Sequence, residues 1–222
     1  MRLDLHNHTR HSPDSRVDPA DLVRRGKAIG LDGIAITDHN SMAGLASAME
    51  AATDLHDFLV IPAMEVSTAE GHILAYGVTS PVPRDLPPPE TVERIVAQGG
   101  IAVAAHPYRF WSGLGERATR SAPFAAYEVH NARTLRIGNA RASRLADAAR
   151  VGRTGGSDSH ILEELGRGVT VLDGGGGSVD DALQAVASRK TSGEGVHRGA
   201  RATAVYVTKC LSEWTLRGMR RI

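Results

Sequence analysis

Met1-Arg2-Leu3-Asp4-Leu5-His6-Asn7-His8 opens the chain. Leu3 and Leu5 alternate with polar neighbours, the period of a short strand, and His6-x-His8 stands at its C-terminal end. Side chains two apart on a strand point the same way, so both imidazoles converge on one point. Two rings so placed make half of a metal site. One histidine pair is weak evidence, and its weight comes from the same design recurring along the chain.

Working outward, Asp18-Pro19 starts a helix that ends at Gly30, with Asp18 as cap and Pro19 in the first turn. An apolar strand, Gly33 to Thr37, ends in Asp38-His39-Asn40, and a helix is expected from Ser41 to about Leu55. Phe58 to Met64 is a strand ending at Glu65, and Gly71 to Gly77 is a further strand. A helix over Glu90 to Gln98 leads to the strand Ile101–Ala105, which ends in His106-Pro107. A loop rich in Arg, Gly and aromatics runs to about Pro123. Ala126 to Val129 is a short strand ending in His130-Asn131, and a helix from Leu135 to Arg150 follows. Arg153 to Gly156 is a strand ending in Ser157-Asp158-Ser159-His160. A strand at Gly168 to Leu172, a glycine turn at 174–177, a helix at Val179 to Ser188 and a last helix near Thr203 to Gly218 complete the reading.

Short apolar strands alternating with amphipathic helices indicate an α/β protein with a largely parallel sheet. His8, His39, Glu65, His106, His130 and Asp158 end six different strands. An open sheet would spread them along an edge, whereas a closed barrel brings every strand C-terminus to one mouth. The expectation is a barrel.

The chain has 222 residues, 41% hydrophobic and 23% charged, the composition of a soluble globular protein. No linker or repeat is visible, so residues 1–222 read as one domain, with its motifs in 1–172 and helices at 179–218 packed on the barrel. The C-terminal stripe of Val205, Leu211, Trp214 and Leu216 reads as core. A net charge of +1 carries no footprint for duplex nucleic acid and leaves a small nucleotide open. The lone Cys210, and the lack of a signal segment or apolar run of spanning length, point to a cytoplasmic protein with no membrane partner. The glycine run at 174–177 lacks the lysine and hydroxyl residue of a P-loop.

Taken in order, His6-x-His8, Thr37-Asp38-His39-Asn40, Glu65, Ala105-His106-Pro107, His130 and Gly156-Ser157-Asp158-Ser159-His160 resemble the PHP (polymerase and histidinol phosphatase) family of metal-dependent phosphoesterases. The resemblance implies a distorted (β/α)7 barrel and a cluster of two or three divalent metal ions (manganese, zinc or iron). It implies that His6, His8, Glu65 and Asp158 hold the first metal. Glu65 would bridge to a second on His106 and His130, and Asp14, His39 and His160 would hold a third. Several family members have histidine where this chain has Asp14. A bridging carboxylate suits two cations about 3.5–4 Å apart, and mixed imidazole and carboxylate donors suit zinc, manganese or iron.

The expected chemistry is hydrolysis of a small phosphomonoester by a metal-bridging hydroxide, the substrate a nucleotide, a sugar phosphate or an amino-alcohol phosphate such as histidinol phosphate. Alternatives are a phosphodiesterase or short-oligonucleotide exonuclease, a non-catalytic metal-binding scaffold, and an amidohydrolase. Arg109 and Arg133, each just after a strand end, are the expected phosphate clamp, while Arg117 reads as a surface arginine. Asp38 either orients a ligand histidine or holds a metal-bound water, or it caps the helix before Ser41. His72 either faces the mouth near substrate or begins a strand, and His11 lines the entrance or sits in a solvated loop. His56 and His197 are given no role.

Overall fold

A computed structural model describes residues 1–174 and 177–197, together with 203, 208, 211, 212 and 215. Of the expected last helix, Thr203 to Gly218, only those five residues are described, and the middle of the glycine run lies outside the described residues.

Nine strands are described: β1 (Arg2–Asp4), β2 (Gly33–Ile36), β3 (Leu59–Thr68), β4 (Gly71–Tyr76), β5 (Ile101–Ala104), β6 (Ala126–Asn131), β7 (Gly152–Gly156), β8 (Gly168–Leu172) and β9 (Thr191–Gly195). The helices are α1 (Pro19–Ala28), α2 (Leu45–Ala52), α3 (Pro88–Ala97), α4 (Gly115–Arg120), α5 (Arg136–Ala149) and α6 (Val179–Ala187). The strands form one sheet in the order β7-β6-β5-β4-β3-β2-β1-β8-β9. It curls into a nearly closed barrel. At the mouth Asn7 bridges Ser159 in parallel, and the His8 amide donates to the Ser159 carbonyl at 2.9 Å. Below that point Thr170 of β8 exchanges hydroxyl and amide bonds of 2.9 Å with Gly155 of β7. Gly156 permits the closure, since a Cβ there would lie 2.4 Å from His6 Cβ.

The α/β barrel architecture is as expected, but two details differ. The sheet is parallel only within the blocks β1–β2–β3 and β5–β6–β7. β4 runs antiparallel to both of its neighbours, and β8 and β9 run antiparallel as well. With nine strands the seven-unit repeat is not confirmed. β9, Thr-Ser-Gly-Glu-Gly, has no apolar alternation to announce it.

Two further corrections concern element bounds. β3 does not end at Glu65 but continues to Thr68, paired with β4. α2 starts at Leu45 rather than Ser41, because the Asp38 carboxylate is taken by Thr9 and leaves no cap at that point. α1 begins as read, with Asp18 Oδ1 accepting from the Ala20 amide at 2.9 Å. No described helix is long and apolar enough to cross a membrane.

The barrel interior is layered. Leu3, Leu5, Ala35, Ile61, Ala63, Leu74, Tyr76, Val103 and Ala105 fill its lower part, closed from beneath by Ala182 and Val186 of α6. The outer faces of β2 and β3 pack on α1 and α2, and those of β4 to β6 on α3 to α5. Alternation along a strand carries the interior face upward from hydrocarbon to polar groups. Ile61 and Ala63 lead to Glu65, and Tyr76 and Leu74 lead to His72.

Asp4, fully buried, ties this arrangement together at the β1 end. It accepts from the Ser157 amide at 2.9 Å, the Ser157 hydroxyl, the Gly166 amide at 2.8 Å and the His6 amide at 3.3 Å. Burial lifts its pKa to about 6 against those bonds. Asp4→Ala strands buried donors, and it is expected to cost about 3 kcal/mol. A urea midpoint shifted down at unchanged slope is the readout.

Candidate functional site

Glu65, 1% exposed, is the centre of the site. Its Oε2 faces three imidazole nitrogens, His6 Nε2, His8 Nε2 and His39 Nδ1, each at 3.3 Å. Its Oε1 faces His72 Nδ1 at 2.9 Å and His106 Nε2 at 3.0 Å. His72 reaches it because β4 pairs Ser67 with His72 and Glu65 with Leu74, so Glu65 and His72 are diagonal neighbours on the interior face. Burial alone would raise the Glu65 carboxyl, but His72, His39 and His6, with the His106 hydrogen bond, hold it well below the ordinary range.

The three nitrogens around Oε2 are close to the carboxylate yet make no hydrogen bond, and all three are buried. Partnerless buried nitrogens are costly. Aimed together at one carboxylate oxygen, they have the arrangement a divalent cation needs. Their other ring nitrogens point the same way: His6 Nδ1 meets Glu128 Oε1 at 2.9 Å and His8 Nδ1 meets Ser12 Oγ at 3.1 Å. Such partners leave Nε2 as the free lone pair.

Two further groups adjoin. Asp158 Oδ1 lies 3.7 Å from His8 Nε2, and Asp14 Oδ2 lies 2.8 Å from His160 Nε2 and 3.7 Å from His39 Nε2. Ligand atoms within 4.8 Å of one another define four sets: His8, Asp14, His39 and His160; His6, His8 and Asp158; His39, Glu65 and His72; His6, His106 and Glu128. Burial lowers the pKa of His39 and His106 and brings His160, beside Arg133, to about 4. The neutral imidazole is the form that ligates. For His6 and His8 burial also acts downward, but Glu128 and Glu65 around His6, and Glu65 around His8, raise them. His106 (φ 28°), Asp158 (φ 53°) and Asn40 (φ 53°) all stand in the left-handed region, strain of the kind held at working sites.

Of the residues expected from sequence, His6, His8, Asp14, His39, Glu65, His106, Asp158 and His160 come together, and His130 does not. The reason is a bulge. The β6–β7 register passes from Glu128↔Thr154 to His130↔Gly155, so one extra residue turns the strand over. Asn131, not His130, returns to the side of Glu128, and its amide donates to Glu128 Oε2 and Asp158 Oδ2, both at 3.1 Å. His130 stacks instead on His197, ring centroids 4.8 Å apart.

Arg109 and Arg133 both pair with Asp158, and Arg133 also meets His160 Nδ1. Arg117 is an exposed partner of Glu70. Asp38 does not cap the helix after it: its oxygens accept from the Thr9 amide and hydroxyl at 2.6 Å each, pinning the loop that carries Asp14. His11 is half-buried in the same loop. Sequence reasoning passed over Glu128 and Asn131. The signal available was a carboxylate inside an otherwise apolar strand, Ala126-Tyr127-Glu128-Val129.

Comparison with known proteins agrees with this geometry. Residues 4–142 match the model of the PHP domain, and residues 136–191 match that of a PHP-associated segment. An uncharacterized protein of Methanocaldococcus jannaschii, MJ1587, is 35% identical over 128 residues, covering 53% of this chain and 74% of that one. Among solved structures, a two-domain protein from Bacteroides vulgatus containing a predicted PHP-like metal-dependent phosphoesterase is 20% identical with a TM-score of 0.71. The alignment covers 88% of this chain and 65% of that one, so this chain spans less than two thirds of its length. The lesion-specific endonuclease of Pyrococcus furiosus is 16% identical with a TM-score of 0.63, over 85% of this chain and 56% of that one. With more than half of its length matched by the family's model, the chain belongs to the PHP domain family.

Proposed function

We propose that the protein is a metal-dependent phosphohydrolase acting on a small phosphomonoester. The observation that carries this reading is the set of three partnerless buried nitrogens, each 3.3 Å from Glu65 Oε2, beside two arginines on Asp158. The donors are imidazoles and carboxylates, a set suited to zinc, manganese or iron. His6, His8 and Asp158 would hold one cation, with Glu65 bridging to a second. Asp14, His39 and His160 would hold a third. For the second cation the candidates are His72, grouped with His39 and Glu65, and His106, grouped with His6 and Glu128; each of the two imidazoles also lies within 3.0 Å of Glu65 Oε1. Divalent cations bound there would polarise the phosphoryl group and lower the pKa of water from 15.7 toward about 7.

The chain's own groups do the rest. Glu128 holds His6 in one tautomer and accepts the His106 amide at 2.8 Å, fixing two ligand candidates with one carboxylate. Arg109 and Arg133 stand ready to donate hydrogen bonds to the phosphoryl oxygens. Two guanidiniums suit a terminal phosphate, which is dianionic at neutral pH, better than the single negative charge of a diester.

The expected result is release of inorganic phosphate from monoesters on addition of manganese, with little cleavage of bis(p-nitrophenyl) phosphate. Faster cleavage of the diester than of any monoester would turn the reading to a phosphodiesterase. In Glu65→Gln, metal analysis is expected to show loss of bound divalent ions, and turnover should fall by about 100-fold or more. Wild-type turnover in that variant would refute the assignment.

His72 and His130 are told apart by alanine variants. His72→Ala is expected to lower metal stoichiometry and activity by about 10- to 100-fold, while His130→Ala keeps the wild-type metal content. The opposite pattern would restore His130 to the second site.

A further inference from the structure

We infer that Ser12 is a positioning residue shared by two of the candidate cation sets. Its one buried hydroxyl fixes which nitrogen of His8 faces the centre, how the Asp14 carboxylate is turned and where the His39 backbone stands. The inference rests on the cation-binding reading above and holds whichever phosphate ester is cleaved.

A serine hydroxyl has one proton to donate and two lone pairs to accept with. Ser12 is 3% exposed, so its partners have to come from the chain. Three polar groups surround its Oγ: the His39 amide at 3.2 Å, His8 Nδ1 at 3.1 Å and Asp14 Oδ1 at 3.1 Å. A backbone amide only donates and a carboxylate only accepts, so the hydroxyl proton goes to Asp14 and one lone pair receives the His39 amide. The second lone pair can be filled only by an N–H. Nδ1 is therefore the protonated nitrogen of His8, and Nε2 is the one turned to Glu65 Oε2 at 3.3 Å and Asp158 Oδ1 at 3.7 Å.

The same bonds shape the neighbouring set. With Oδ1 of Asp14 taken by Ser12, Oδ2 lies 2.8 Å from His160 Nε2 and 3.7 Å from His39 Nε2. Ser12 thus touches three of the four members of the set His8, Asp14, His39 and His160, and His8 belongs also to the set with His6 and Asp158. Its own place is held by the loop around it. The Ser12 amide donates to Thr9 O at 2.9 Å, and Thr9 is bound twice to Asp38 at 2.6 Å. The Ser15 hydroxyl lies 3.0 Å from His8 O and 3.2 Å from His160 O, which seats the far end of the loop on the same segments.

A loop serine commonly bonds the backbone of its own turn, and shaping that turn is then the whole of its role. Ser12 Oγ meets three candidate ligands instead, and one of them, His39, comes from the segment after β2. Without the hydroxyl, the His8 Nδ1 proton and the His39 amide lose their acceptor, and the Asp14 carboxylate loses the donor that turns it. Loss of an outer partner of this kind costs about 10- to 100-fold in metal affinity. Because Ser12 serves two sets, the loss falls on both.

Zinc, a closed-shell ion that leaves nuclear resonances sharp, is the probe. In the zinc-loaded wild type with nitrogen-15-labelled histidine, His8 is expected to bind zinc through Nε2 and to show a slowly exchanging Nδ1 proton. In Ser12→Ala that resonance is expected to shift or be lost to exchange, and zinc affinity, measured by competition with a chelator, to fall by about 10- to 100-fold. Ser12→Thr keeps the hydroxyl and should restore both. Zinc bound through His8 Nδ1 in the wild type overturns the inference, and that spectrum decides even where Ser12→Ala does not fold. An unchanged zinc affinity in Ser12→Ala overturns it as well and leaves the cation-binding reading standing. The expected spectrum and affinities with no phosphate released from any monoester support the role of Ser12 and overturn the phosphohydrolase reading.

Discussion

Five imidazoles face the one carboxylate of Glu65, and the upper half of the molecule is arranged around that fact. A carboxylate at 1% exposure has lost its water and needs partners for both oxygens. Oε1 has them, in His72 and His106. Oε2 has three nitrogens at 3.3 Å and a hydrogen bond from none. Such a shell satisfies neither the oxygen nor the nitrogens unless a positive centre stands among them. The polar interior of this barrel is thus arranged for a cation, and its stability and its chemistry are coupled through the same atoms.

Supporting that shell takes a second ring of groups with no freedom of their own. Glu128 reaches His6, the His106 amide and Asn131, and Asn131 reaches on to Asp158. Asp4 does the same for Ser157 and Gly166 at the barrel seam, and Tyr76 Oη donates to Leu5 O at 2.8 Å on the inner face below. Glu128 sits where alternation along β6 passes from the hydrocarbon layer, at Ala126, to the ligand layer. The transition is abrupt because a strand changes depth by only one residue pair at a time.

What was legible in the sequence follows from the same geometry. His6 and His8, like Asp158 and His160, sit just past short strands, where a spacing of two signals convergence. Their gathering with His39 and His106 needed only the assumption of a shared mouth. His130 falls outside the gathered sets because a β-bulge, which leaves no mark in hydrophobic periodicity, reverses every side chain beyond it. Glu65 was placed at a strand end because Glu-Val-Ser-Thr looks like a chain leaving the core. In fact β3 runs on to Thr68, since the interior at that height is itself polar. β9 escaped notice for a related reason: Gly193 and Gly195 serve close backbone approach, with a Gly193 Cβ falling 2.4 Å from Thr154 O, and such contacts carry no apolar signature.

The arginines show how ligand shell and rim act on each other. Asp158 would ionise reluctantly at its depth, yet Arg109 first, then His6 and Arg133, outweigh burial and hold it well below the usual carboxylate range. The same ion pairs hold two long side chains in place before any substrate arrives, so their rotamer freedom is already lost in the free protein. On the proposed function, a phosphate arriving at the rim would meet guanidiniums already held by Asp158 rather than sweeping through water, so the positive charge is preorganised. Arg109 is anchored at one end to Asp158 and at the other to the turn closed by Gly113, so its guanidinium is tied by backbone to the candidate ligand cluster.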